Sequence, residues 1–178
     1  ISSYDKYGKD CLGQLTGMFA FALWNEKQNS LFCARDRFGI KPFYYFIHDR
    51  VFYFASEAKA LLPFLPSIET DFDVLAEYLT FQYLIGENTL FKGIKQLEAG
   101  HFIEIKDGEV NIKQYWDVTY SYDNNHSEKY FDDKLVELMD ESVKLHLRSD
   151  VPVGSYLSGG VDSSLIAIMA KEFDGNHK

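Results

Sequence analysis

Four apolar runs crowded with Phe and Tyr, separated by short polar turns, constrain this chain more than any other feature. Residues 18–24, Met-Phe-Ala-Phe-Ala-Leu-Trp, alternate large and small apolar side chains and read as a strand buried on both faces. Asn25 to Asn29 make a turn, and Ser30 to Asp36 form a second strand. A loop with Gly39 and Pro42 leads into Phe43–Ile47; a turn at 48–50 brings the chain back as Val51–Ala55. Polar turns this short between successive strands favour antiparallel hairpins. The aromatic content of 16% supplies the rings that fill a sheet-on-sheet or sheet-on-helix core. Further on, His101–Lys106 alternates, Asp107-Gly108 is the strongest short hairpin signal, and Val110–Trp116 returns.

Helical patterns frame these strands. Tyr4–Leu15 is mildly amphipathic, and Glu57–Leu62 gives one or two turns stopped by Pro63. Residues 71–83 predict a better helix, capped by Asp71 or Asp73, with Leu75, Tyr78, Leu79 and Gln82 on its inner face. After residue 118 the character changes. Residues 119–126 are polar and aperiodic, as in a linker. Ser127 opens a long helix with Phe131, Leu135, Leu138, Met139, Ser142, Val143 and His146 on one stripe. Val151–Leu157 then reads as a buried strand, Ser158-Gly159-Gly160 as a tight turn, and Val161 onward as a helix. Strand, glycine turn and helix open a parallel α/β unit. The chain therefore predicts two domains, an aromatic antiparallel one and the start of an α/β one.

Charge and cysteine usage exclude several functions. Lys plus Arg number 18 against 27 Asp plus Glu, a net charge of −9, so a nucleic-acid backbone would be repelled. Cys11 and Cys33 are too few for a disulfide framework and read as buried apolar thiols. The five histidines are scattered without metal-ligand spacing, and His101 reads as structural. No apolar run approaches the roughly 20 residues that span a bilayer. Nor does the first segment carry the basic and apolar regions of a signal peptide, so a cytoplasmic, reducing setting is expected.

The run Ser158-Gly159-Gly160-Val161-Asp162-Ser163-Ser164 carries the chemistry. Two glycines free the backbone to turn and let a ligand approach without Cβ hindrance. The turn feeds a helix N-terminus, whose unpaired N–H groups and positive dipole end favour an anion. Ser158, Ser163 and Ser164 add hydroxyl donors, and Asp162 suits a Mg²⁺ ion bridging to phosphate. The alternative is a plain glycine turn with Asp162 capping the helix. A Walker A loop is excluded, because its Gly-Lys-Ser/Thr ending is missing. Elsewhere, Arg35, Arg37 and Lys41 crowd around Asp36, either to organise the core or an interdomain contact, or as a solvated, partly ion-paired loop. Ser56-Glu57 reads as the cap of the following short helix, with contact to a catalytic site as the alternative.

Residues 158–163 resemble the pyrophosphate loop of ATP pyrophosphatases. Upstream, residues 17–24, 34–44 (Ala-Arg-Asp-Arg-Phe-Gly-Ile-Lys-Pro-Phe-Tyr) and 54–61 resemble successive blocks of class II glutamine amidotransferase domains. Residues 89–94, Gly100-His101 and Tyr115-Trp116 resemble the segment closing that domain in glutamine-hydrolysing asparagine synthetases. Ala99 stands where that family usually has Pro, a change the turn tolerates.

The resemblance implies an α+β N-terminal-nucleophile (αββα) glutaminase portion with antiparallel sheets over residues 1–118 and a linker over 119–127. The start of an α/β ATP-pyrophosphatase domain, of the adenine nucleotide α-hydrolase-like type, would follow over 128–178. It implies glutamine, aspartate and ATP as small-molecule substrates, Mg²⁺ as cofactor, no nucleic-acid or membrane partner, and room for a homodimer. ATP would be held by Leu157, Ser158, Gly159, Gly160, Asp162, Ser163 and Ser164, and the metal by Asp162. The family's reaction releases ammonia from glutamine at a terminal cysteine and uses it to displace AMP from β-aspartyl-AMP. That cysteine and the glutamine-binding residues would precede Ile1, so no catalytic residue of the glutaminase is expected in these 178 residues, which would be inactive by themselves. Two alternatives remain open: a related amidotransferase acting on another carboxylate, in polysaccharide or antibiotic biosynthesis or of β-lactam synthetase type, and a non-catalytic relic module.

Overall fold

Turn chemistry lays out the strands. In the computed structural model, which describes residues 1–173, β6 (His101–Lys106) and β7 (Glu109–Gln114) are joined by Asp107 and Gly108. Both turn residues are left-handed, at φ +54° and +81°. Two left-handed residues match the right-handed twist of the flanking strands. The hairpin of β3 (Tyr44–His48) and β4 (Val51–Ala55) uses the same device without glycine, with Asp49 at φ +48° and Arg50 at +65°. A longer loop joins β1 (Ala20–Asn25) to β2 (Ser30–Arg35), where Asn25 Oδ1 accepts the Gln28 N–H at 3.2 Å.

Two antiparallel sheets result within the unit Ile1–Thr119. One has the order β1-β2-β6-β7; the other has the order β4-β3-β5, where β5 is the short strand Lys95–Gln96. Period-two alternation sends each strand's side chains to opposite faces. Cys33 of β2 and Ile103 of β6 meet Tyr45 of β3, with Phe43 and Leu97 beside them, so the two sheets pack face to face. On the far side of the first sheet, Phe32, Ala34 and Phe102 pack on Cys11 and Leu12. Those two open α2 (Cys11–Gln14), which follows α1 (Ser2–Tyr7) and a 3₁₀ turn over Gly8–Asp10. On the far side of the second sheet, Phe46 packs with Leu61 and Ile94, under the 3₁₀ turns Ala58–Ala60 and Leu62–Phe64. The layers therefore run helix, sheet, sheet, helical turn. Phe46 and Tyr53 stack across the hairpin with centroids 4.6 Å apart.

Three expectations need correction here. The first strand begins at Ala20, and it is not buried on both faces: Met18 and Trp24 are exposed, and β1 forms the edge of its sheet. An edge strand has one neighbour, so its apolar run is half covered. Helix α3 (Phe72–Phe81) is capped by Asp71, which accepts the Val74 N–H at 3.2 Å, as the sequence indicates. Its buried residue, however, is Val74, while Tyr78 and Leu79 face outward and Gln82 ends the helix in a left-handed conformation. In place of one amphipathic helix over Tyr4–Leu15 there are two short helices linked by a 3₁₀ turn, because Gly8 takes φ +57°.

The second unit, Tyr120–Lys178, is described to Phe173; the last part of the expected α/β domain, 174–178, lies outside the described residues. Ser127 caps α4 (Glu128–His146) by accepting the Tyr130 N–H, and Lys129 pairs with Asp133 one turn on. Val143, Met139 and Leu147 pack on Met169 and Ala170 of α5 (Val161–Phe173). Phe131, Leu135 and Leu138, expected on the buried stripe, are exposed, since packing with α5 is confined to the last turns of α4. The expected buried strand at Val151–Leu157 is absent: the segment is irregular, and Val151, Tyr156 and Leu157 are exposed. A parallel strand exists through ladder hydrogen bonds to its neighbours, and the described residues of this unit contain no strand to pair with. No helix among the described residues is long and apolar enough to cross a membrane.

Candidate functional site

Two constellations carry the polar chemistry, one in each unit. In the first, β2 ends in Arg35 and runs directly into Asp36, and both are buried. The Arg35 guanidinium donates to three backbone carbonyls: Nε to Lys41 at 2.8 Å, Nη1 to Leu97 at 2.6 Å and Nη2 to Gly39 at 2.5 Å. With its amide assigned so that the oxygen faces the guanidinium, the orientation that satisfies both groups, Gln96 accepts from Nη1 at 2.7 Å and Nη2 at 2.6 Å. Burial draws the guanidinium's pKa down, with Asp36 opposing. Tyr115 donates its hydroxyl to the Arg35 carbonyl at 2.8 Å.

Asp36 works on donors instead. Its Oδ1 accepts the N–H groups of Phe38 at 3.2 Å and Ile40 at 3.0 Å; its Oδ2 accepts those of Lys41 at 2.9 Å and Phe19 at 3.3 Å. Burial pushes this carboxyl up, but the four backbone donors outweigh it and hold the group below the ordinary carboxylate range. Its carbonyl also accepts the N–H groups of Gly39 and Gly100. Arg37 turns the other way and donates to the Leu15 carbonyl at 2.6 Å, at the end of α2. The charged run is thus the organiser of this core rather than a solvated loop.

Around it, sequence expectations divide. Gly100 is required: it sits at φ +67°, and a Cβ there would lie 2.4 Å from the Trp116 carbonyl oxygen. Ser56 does not cap the 3₁₀ turn that follows; Glu57 holds that position without a side-chain cap bond and pairs with Lys59. The turn is too short to leave several N–H groups aligned for a serine. His101 opens β6 with its Nδ1 2.8 Å from the Ala99 carbonyl. Burial raises the thiol of Cys11 and pushes that of Cys33 up to about 12, so neither is an activated nucleophile. The part played by Tyr115 is not evident from sequence; an aromatic just past the end of a hairpin strand gives no sign that its hydroxyl reaches back 80 residues.

In the second unit the glycine loop adopts a turn that only glycine enters freely, with Gly159 at φ +82°. A Cβ at Gly159 would meet nothing within 4 Å, so this side of the loop is open. Helix α5 begins at Val161, which leaves its first N–H groups without intrahelical partners. Ser158 and Ser163 lie with hydroxyl oxygens 2.9 Å apart, and Ser163 and Ser164 both donate to the Gly160 carbonyl, at 3.1 and 2.8 Å. Leu157, Ser158, Gly159, Gly160 and Asp162 are exposed, with Ser163 and Ser164 half-buried. The structure thus brings Ser158, Gly160, Ser163 and Ser164 together; Asp162 stands on the first turn of α5. Among the described residues no group of three or more His, Cys, Asp or Glu gathers as a protein-only metal cage.

Comparison with known proteins follows the same division. Residues 1–116 match the glutamine amidotransferase domain. The chain belongs to that family. Residues 134–177 match the asparagine synthase family model. Over 97% of this chain the sequence is 42% identical to glutamine-hydrolyzing asparagine synthetase 1 of Bacillus subtilis, covering 27% of that protein. It is 40% identical over its whole length to asparagine synthetase 3 of the same organism, covering 29% of it. A putative asparagine synthetase of Mycobacterium bovis is 36% identical over 96% of the chain and 27% of its own length. The chain therefore spans somewhat over a quarter of these relatives, and the amidotransferase and synthetase signatures occur in one continuous alignment.

Proposed function

We propose that the protein to which this chain belongs makes asparagine from aspartate, using ATP and ammonia released from glutamine. Residues 1–118 would contribute to an N-terminal-nucleophile glutaminase domain, 119–127 would link, and 128–178 would open an ATP-pyrophosphatase domain. The alignment with glutamine-hydrolyzing asparagine synthetases across 97% of the chain carries this reading. The helix–sheet–sheet–helical-turn layering of the first unit is consistent with the αββα arrangement.

The loop at the start of α5 fits the pyrophosphate of ATP. Gly159 is open to approach, the first N–H groups of α5 are free of intrahelical bonds, and Ser158 and Ser163 offer hydroxyls. Mg²⁺ typically keeps several waters and takes one or two carboxylates plus phosphate oxygens. A single exposed carboxylate on the first turn, Asp162, suits that demand; bound there, the ion would neutralise phosphate charge. Ser164, with its hydroxyl on the Gly160 carbonyl, holds the helix start in place. Adenylation gives the aspartate carboxylate a leaving group, and exclusion of water protects both the acyl adenylate and the ammonia.

The test is aspartate-dependent exchange of labelled pyrophosphate into ATP by the whole protein, with glutamine consumption followed separately. Exchange is expected with aspartate, and Asp162→Asn lowers it by about 10²-fold while leaving glutaminase turnover intact. Exchange driven by a different carboxylate would overturn the choice of acceptor, and no exchange with any carboxylate would overturn the synthetase reading.

A further inference from the structure

We draw no further inference here: the strongest candidate, the cleft of about 830 Å³ along edge strand β1 that Tyr4, Cys11, Phe19 and Phe21 help to line, is an unpartnered apolar face, and nothing in the structure shows what covers it.

Discussion

Replacing Asp36 by Asn tests whether one carboxylate holds the loop that joins the two sheets. The side chain keeps its size but offers one acceptor oxygen in place of two. In the native site Oδ1 serves Phe38 and Ile40, and Oδ2 serves Lys41 and Phe19. Whichever way the amide turns, two backbone N–H groups face an NH₂ donor. A buried donor left without its acceptor costs about 1–3 kcal/mol; these donors are part-buried, so the variant should lose about 2–3 kcal/mol, the lower end for two such groups. Urea unfolding followed by tryptophan fluorescence at pH 7 measures this as a fall in the midpoint at unchanged slope. The pH dependence gives a second, independent reading. Because the native carboxyl lies below its unfolded value of about 3.9, its stabilisation is complete above that value. It is lost as pH falls through the native pKa. Asn does not titrate, so the gap between wild type and variant should narrow below about pH 4. Amide exchange at Ile40 and Lys41 should also lose protection. A loss under about 1 kcal/mol at pH 7, or a gap constant with pH, would refute the role assigned to this carboxylate.

Other perturbations separate geometry from charge. Gly100→Ala should destabilise by about 3 kcal/mol or more, since it combines a left-handed φ with a Cβ 2.4 Å from the Trp116 carbonyl. Gly108→Ala, left-handed but with no atom within 4 Å of its Cβ, should cost about 1 kcal/mol; equal losses in calorimetry would show that the Trp116 contact is irrelevant. Arg35→Lys keeps the charge but has one nitrogen where three served, and should lose about 2–4 kcal/mol; an unchanged melting temperature would contradict the fork geometry. At pH 8 both thiols should resist a thiol-specific reagent in the native protein and react once denaturant is added; rapid native labelling of Cys33 would contradict its burial and raised pKa.

The first unit was largely legible because its signals are local and its partners lie within the same 119 residues. Asp107-Gly108 specifies its hairpin through two left-handed residues, and alternation along β2 and β6 assigns Phe32 and Phe102 to one layer and Cys33 and Ile103 to the other. Pattern fails where coverage decides burial. Trp24 and Leu79 have the composition of core residues, yet β1 is an edge and α3 faces Leu79 outward. The second unit repeats this more strongly. Val151–Leu157 has a strand's composition and no ladder; Phe131, Leu135 and Leu138 have a stripe's spacing and, among the described residues, no helix against them. Periodicity states which residues share a face but cannot state whether a partner covers it. The glycine loop was legible for the opposite reason, since its conformation depends on Gly159 and the start of α5 rather than on distant packing.

The Arg35–Asp36 pair shows that neighbouring opposite charges can direct their hydrogen bonds to the backbone rather than to each other. Such a pair suggests an ion pair or a solvated surface, and on the surface it is worth at most about 1 kcal/mol. Here the segment 36–41 leaves β2 without ladder partners, and its part-buried N–H and C=O groups would carry a penalty if left stranded. A guanidinium is a fork of donors and a carboxylate a set of acceptors, so two adjacent residues supply what a sheet ladder would. Arg35 serves the carbonyls of Gly39, Lys41 and Leu97, and Asp36 serves the N–H groups of Phe19, Phe38, Ile40 and Lys41. Lys41 is held through both its backbone groups, one by each charge. The opposite signs therefore match the two polarities of the backbone, while the Asp36 charge also favours the charged form of the guanidinium. Exchanging the two residues, Arg35→Asp together with Asp36→Arg, would keep the net charge and leave both sets of backbone groups facing like polarity. That double variant should fail to fold, as loss of the cooperative urea transition would show, whereas a mere surface ion pair would tolerate the exchange.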